Sequence, residues 1–454
     1  MLMDIDNIHR FIDKAEEESI GLLKKLVAQP SISATNIGVK ECAKLLSGIM
    51  SNIGIHTKIF DTEEEQPIIY GEIMAKNKNS KTVLFYGHYD VQPPEPLNEW
   101  HTPPFEPTII NKRLYGRGTA DSKGQILAHV LAVSAFINCV DCIPVNVKFV
   151  YEGGEESGSK SLAKFVKQHR DLLDADLVFT ADGGRHNTGA PIIYFGSRGL
   201  LNLEISLQSA KHDNHSGNKG GVISNAAWDM VNLLTTMKDR EGNITINSFY
   251  ENVELPTEHD LELLKKIPYS RNNFAKICGV KEILLDKIEL YKRLFFKPTL
   301  TINGIKSGYI GAGSKTIIPS HATAKIDTRL ACNQDPNVIY SLIQEHLIKH
   351  KSNVKIIKHG SMYPSRTPVN TPICKLAINA VAKSNNHDPI IIPIAGGSFP
   401  DYVWTRILRL PSLLVPYGNA DQSNHAPNEN IELDCYMKGI HTSAQLMHEF
   451  NQKG

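Results

Sequence analysis

Residues 145–168 constrain the fold more than any other stretch. VNVKFV (Val145 to Val150) is an alternating apolar run that reads as a buried strand, and YEGGEESGS completes and follows it. SGSKSLAKFVKQ then reads as a helix with Ser157 or Ser159 as its N-cap. A strand leading through a short turn into a helix is a building unit of open α/β sheets, where ligands bind at the carboxyl ends of strands. Glu155 and Glu156 stand at such an end. Adjacent side chains diverge on a regular strand or helix, but a Gly-Gly turn lets both carboxylates face one locus. One could bind a metal while the other acts as a general base. The plainer alternative is two solvated glutamates favoured by a helix dipole.

The other strand ends weigh against that alternative. Thr82 to Tyr86 reads as a strand ending in GHYDVQPP, which puts His88 and Asp90 two apart on the same side of an extended segment. A metal-bound histidine needs its second ring nitrogen held, commonly by a carboxylate, although an HxD pair alone is a weak signal. LYGRGTADSKG (Leu114 to Gly124) sets Asp121 in a glycine-rich turn before a long apolar helix. An acid in that place would repel a pyrophosphate and suits a cation. The strand Leu177 to Thr180 runs into ADGG with Asp182, and the strand Leu413 to Pro416 runs into YGNADQSNHAPNEN with His425. The candidate ligands are therefore His88, Asp121, Glu156, Asp182 and His425. Mixed histidine and carboxylate donors suit zinc or manganese better than magnesium or calcium. Five are too many for one tetrahedral zinc and suit two ions sharing a carboxylate.

A length of 454 residues favours two domains. The net charge of +1 gives no reason to expect a nucleic-acid or membrane partner. The first residues carry no secretory pattern, and Ile126 to Ile137, broken by His129 and Ser134, reads as a buried helix. Seven scattered cysteines suit a reduced, cytoplasmic protein; Cys139 and Cys142 form a lone CxxC in a helix-to-strand loop. Ile8 to Val27 and Gly38 to Ile53 have helical spacing. From about Arg198 to Ser365 strands and helices alternate as in a compact α+β insert, and His425 lies beyond it. The expected division is thus residues 1–197 with 366–454, and 198–365. GYIGAGSKT is not a phosphate loop, because Ser314 separates Gly313 from Lys315. Trp228 and Trp404 lie in apolar helical patterns and read as core. His129, His321, His359 and His387 lack partners at ligand spacing and read as structural or solvated; His101, in the loop after GHYDVQPP, reads as solvated or, alternatively, as lining the site.

Taken together, GHYDVQPP, LYGRGTADSKG, YEGGEESGS, TADGG, HSG at His215, GSKTIIP, AGGSFP and NHAPNEN resemble the dinuclear metallopeptidase family M20, nearest its carnosine-type dipeptidase branch. The resemblance spans nearly the whole chain. It implies an α/β fold: a discontinuous catalytic domain with a mixed sheet flanked by helices, plus an inserted α+β lid or dimerisation domain. It implies that Asp121 bridges two ions, that His88 and Asp182 complete one site, and that Glu156 and His425 complete the other. Asp90 would orient His88, and Glu155 would be the general base. His215 (or, less well matched, His212) and Thr316 would reach the site of a partner subunit in a homodimer formed through the insert. Arg329, Gly397 and Ser398 would bind the substrate carboxylate. Ala120 and Ala181 stand where the family often has a hydroxyl residue. The implied reaction is metal-dependent amide hydrolysis, on dipeptides or short peptides, or alternatively on N-acyl or N-succinyl amino acids. A metal-binding protein without catalysis would be free to lose Glu155 or a ligand, and all are present.

Overall fold

The computed structural model describes residues 4–451; residues 1–3 and 452–454, the outermost of the expected catalytic domain, lie outside that range. The chain divides into two compact units. The larger runs up to Gly196, resumes over Arg366–Pro393, and continues from Val403; the smaller comprises Ser197–Ser365 and Ile394–Tyr402. Residues 394–402 therefore belong with the smaller unit, where an uninterrupted return from 366 was expected. The bridge between Ser197 and Ala395 accounts for this.

The larger unit is built on an eight-stranded mixed sheet. Its order is His56–Phe60, Ile68–Ile73, Asn146–Glu152, Thr82–His88, Leu177–Thr180, Ser412–Leu414, Ile192–Tyr194, Ile390–Ile392. The four strands from Asn146–Glu152 to Ser412–Leu414 are mutually parallel, so their carboxyl ends share one edge. These strands are apolar almost throughout, as burial on both faces demands. The helices Val39–Asn52, Gly124–Val140, Pro372–Asn385 and Leu433–Asn451 contribute side chains to the same core. Gly124–Val140 is buried over most of its length, as its apolar composition led us to expect.

Three local features differ from the sequence reading. The N-terminal helical stretch is two helices, Ile5–Lys14 and Glu16–Ala28, separated at Ala15. The strand His56–Phe60 was not foreseen, because a half-exposed edge strand such as HTKIF carries little apolar signal. After Glu152 the chain makes one 3₁₀ turn, Glu155–Ser157, and the helix begins only at Leu162 with no side-chain cap. Ser159 does not cap it; its hydroxyl donates to Glu152 Oε1 at 2.9 Å.

The smaller unit holds a four-stranded antiparallel sheet, in the order Thr299–Ser307, His321–Leu330, Gly199–Gln208, Lys355–Met362. Period-2 alternation turns Leu201, Leu203, Ile205 and Leu207 inward, against the helices Ala226–Thr235 and Pro336–His350. The polar stretch after Glu258 resolves into three short helices. Trp404 is fully buried, but Trp228 is 66 % exposed. Its helix turns Ala226, Met230, Leu233 and Leu234 inward, and a residue two positions after Ala226 falls on the opposite side.

Candidate metal centre

Each of the four parallel strands delivers a polar residue to the shared edge. His88 ends its own strand; Glu155 and Glu156 follow Glu152, Asp182 follows Thr180, and His425 comes from the loop after Leu414. Asp121 arrives from the turn before the helix Gly124–Val140. The ligand atoms of His88, Asp121 and Asp182 lie within 4.8 Å of one another, as do those of Asp121, Glu156 and His425. His88 Nε2 is 3.2 Å from Asp121 Oδ1 and 3.6 Å from Asp182 Oδ2. His425 Nε2 is 3.1 Å from both Asp121 Oδ2 and Glu156 Oε2. Asp121 thus offers one oxygen to each group.

The donors fit metal ions on the evidence of one buried atom. His88 Nδ1 lies 3.1 Å from the Asp90 carbonyl, which can only accept, so Nδ1 carries the proton. In the neutral ring Nε2 is then a lone pair; it is buried without a hydrogen-bond partner and faces two carboxylates. Lone pair against carboxylate is repulsive unless a cation, a metal ion or a proton, sits between them. The electrostatics agree. Burial alone would lower the His88 pKa, but Asp121, Asp182 and Asp90 outweigh it and raise the ring well above its usual range. Asp121, then Glu156, raise His425 to about 10. Burial opposes the charge on Asp121, yet His425 and His88 hold its carboxyl below the usual range. Burial first, then Asp182, Glu156 and Asp90, push Glu155 well above its usual range against the pull of His88. A raised carboxyl close to the donors, and in neither donor group, is placed for proton transfer.

Surrounding groups fix this geometry. Asp90 is fully buried, and its two oxygens accept the Glu155 and Glu156 N–H groups at 3.1 and 3.0 Å. One residue therefore holds both: its carbonyl accepts from the His88 ring, and its carboxylate holds the turn bearing the glutamates. A Cβ on Gly153 would come within 2.5 Å of the Tyr89 hydroxyl, and one on Gly154 within 2.4 Å of Gln66 Oε1. The glycines permit close approach of the turn to its neighbours. Gln92 Nε2 donates to Glu156 Oε2 at 2.8 Å.

Glu429 is a residue the sequence did not single out. It is fully buried and accepts from the N–H groups of Gly118, Ala120 and Asp121 and from Arg117. It is the scaffold of the Asp121 turn. It lies within NHAPNEN, but only its pairing with Arg117, over three hundred residues earlier, marks it, and one sequence does not display that.

The remaining candidates lie on the smaller unit, in two places. His215 pairs with Ile317 beside Thr316 in a two-residue ladder, and both side chains are exposed. His215 Nδ1 accepts the Gly217 N–H at 3.0 Å, so the neutral ring carries its proton on Nε2 as an outward donor. Arg329 and Ser398 are together, with Gly397 adjoining. Arg329 Nη1 donates to Ser398 Oγ at 2.8 Å, and that hydroxyl donates to the Gly199 carbonyl at 3.1 Å. Ser398 here orients the guanidinium; the implied direct grip on a carboxylate would need this second bond to break. His101 is an exposed loop residue whose N–H donates to Asn428.

Two three-donor groups sharing one carboxylate, at the carboxyl edge of a mixed α/β sheet, define a metal-dependent hydrolase. The chain belongs to peptidase family M20/M25/M40, whose model matches residues 84–449. It is 28% identical to the Cys-Gly metallodipeptidase of Schizosaccharomyces pombe over 99% of each chain. It is equally 28% identical to the Beta-Ala-His dipeptidase of Mus musculus, over 99% of this chain and 96% of that one. A solved M20 family metallo-carboxypeptidase from Sulfolobus solfataricus superposes with a TM-score of 0.90 at 35% identity, covering 96% of this chain and 99% of the other.

Proposed function

We propose that this chain hydrolyses the amide bond of dipeptides or short peptides ending in a free carboxylate. The observation that carries the reading is the pair of donor groups meeting at Asp121, with Glu155 beside them. His88, Asp121 and Asp182 would hold one ion, and Asp121, Glu156 and His425 the other, zinc or manganese by the donor set. Such ions, when bound, polarise a carbonyl and acidify water. Glu155 would take a proton from the attacking water and return it to the leaving nitrogen. Asp90 keeps the His88 lone pair and Glu155 in register. His215 of the partner subunit would donate its Nε2–H to the developing oxyanion, with Thr316 alongside. Arg329 would pair with the substrate carboxylate through its planar fork, with the Gly397–Ser398 backbone flanking it.

The smaller unit would serve as lid and dimerisation domain of a cytoplasmic homodimer. In support, its edge strand Thr299–Ser307 is exposed along most of its length, with Ile302 and Ile305 facing outward. The relatives named as dipeptidases and as a carboxypeptidase release products that carry carboxylates, which suits the arginine locus.

The test is turnover after chelation and after zinc or manganese is restored, on Cys-Gly, Beta-Ala-His, plain dipeptides, their N-acetyl forms and N-succinyl amino acids. Metal-dependent cleavage of free dipeptides is the expected result. Cleavage of only the acylated compounds would replace this reading by that of an N-acyl amino acid deacylase.

A further inference from the structure

Arg198 has an environment that asks for an explanation. It is 7 % exposed, yet among the described residues no carboxylate lies within ion-pair distance of it. Its Nε and Nη2 both donate to the Gly396 carbonyl, at 2.8 and 2.6 Å, and Nη1 donates to the Lys297 carbonyl at 3.3 Å. Its own N–H donates to the Ala395 carbonyl at 3.2 Å. One buried cation thus ties down the two residues that precede Gly397 and Ser398. Loss of water and the nearby Arg329 lower its pKa to about 10, against the pull of Asp327.

The local charge does not balance. Two guanidiniums, Arg198 and Arg329, have one carboxylate near both, Asp327, and Asn303 already donates to it at 2.7 Å. Asp327 Oδ2 is 3.9 Å from Arg329 Nε, a loose contact. Among these three groups the positive charges outnumber the negative, and a singly charged anion beside Arg329 would offset the difference.

We infer that Arg198 is a positioning residue for carboxylate recognition: it fixes the 394–398 segment so that Ser398 stays on Arg329, and its charge biases the locus toward an anion. This rests on the reading of Arg329 as the group that meets the substrate carboxylate. A purely structural arginine would support the segment equally for every substrate. The positioning role is selective, acting only where the substrate has a carboxylate to hold.

The experiment is steady-state kinetics of the metal-loaded wild type, R198Q, R198K and R329Q on one dipeptide that the wild type cleaves and on its carboxyl-terminal amide, with metal content and melting temperature recorded. R198Q should raise KM for the dipeptide by roughly ten- to a hundredfold, leave kcat within about threefold, and leave KM for the amide unchanged. R198K, which keeps the charge and loses the fork, should fall between. If R198Q does not fold, R198K carries the test, with a smaller rise confined to the dipeptide. An equal effect on dipeptide and amide, or a loss in kcat alone, would overturn the inference. Should R329Q itself treat dipeptide and amide alike, it is the reading of Arg329 that fails.

Discussion

Glu155 shares a small volume with Asp90, Asp182 and Glu156, and only Glu155 among these four belongs to neither donor group nor to the hydrogen-bonded support beneath them. Replacing it should therefore separate binding from chemistry. Glu155→Gln is expected to keep both ions, by metal analysis, and to lower kcat by about 10²–10⁴-fold. His129 makes a different single-residue prediction. It is fully buried, stacked 4.3 Å from Phe85, and burial lowers its pKa to about 3. The folded state thus refuses a proton that the unfolded chain accepts below about 6.5. Its neutral ring contributes full stability above that pH, and the contribution is lost as pH falls from about 6.5 toward 3. His129→Phe should flatten this acid limb, read as urea midpoints at pH 7 and pH 5. His129 was legible as a non-ligand because nothing at ligand spacing accompanies it. Asp90 was legible only as a partner of His88; its grip on the Glu155 and Glu156 amides is a tertiary contact that no spacing displays.

The Asp121 turn shows what one sequence conceals at the scale of an element. Its glycines and its acid were readable, because a carboxylate before an apolar helix is chemically conspicuous. The group that shapes it, Glu429, comes from the far end of the chain and accepts four hydrogen bonds there. Glu429→Gln would leave Arg117 buried without a counter-charge. The expected outcome is a loss of about 3–5 kcal/mol in stability and roughly 10–100-fold weaker metal binding, checked by denaturant and metal titrations. Strands with strong alternation, such as Gly199–Gln208, were legible, whereas the edge strand His56–Phe60 and the start of the helix at Leu162 were not. The first carries little apolar signal, and at the second the Ser159 hydroxyl is drawn to Glu152 instead of capping the helix.

Across the whole molecule there are two separate hydrophobic cores, and every candidate metal ligand belongs to the unit containing the larger one. Calorimetry should show chelation lowering one transition by roughly 5–15 °C while a second, from the smaller unit, stays put. Replacing Ile302 and Ile305 by lysine on the exposed edge strand should shift sedimentation toward monomer, and activity should fall with it if His215 acts across subunits. The division into two units was legible from the return of a ligand beyond the insert; the excursion of residues 394–402 was not, because it depends on the Ser197–Ala395 bridge and on Arg198. That late return also bears on biosynthesis. His425 follows His88 by more than three hundred residues. At about 5–20 residues per second, the ribosome delivers the last donor tens of seconds after the first. Throughout that interval the nascent chain carries converging acids without the histidine and the Glu429 scaffold that complete their site. The donor group that needs His425 can form only once the residues after the insert have rejoined the larger unit, so an ion held there would be a chemical signature of finished folding.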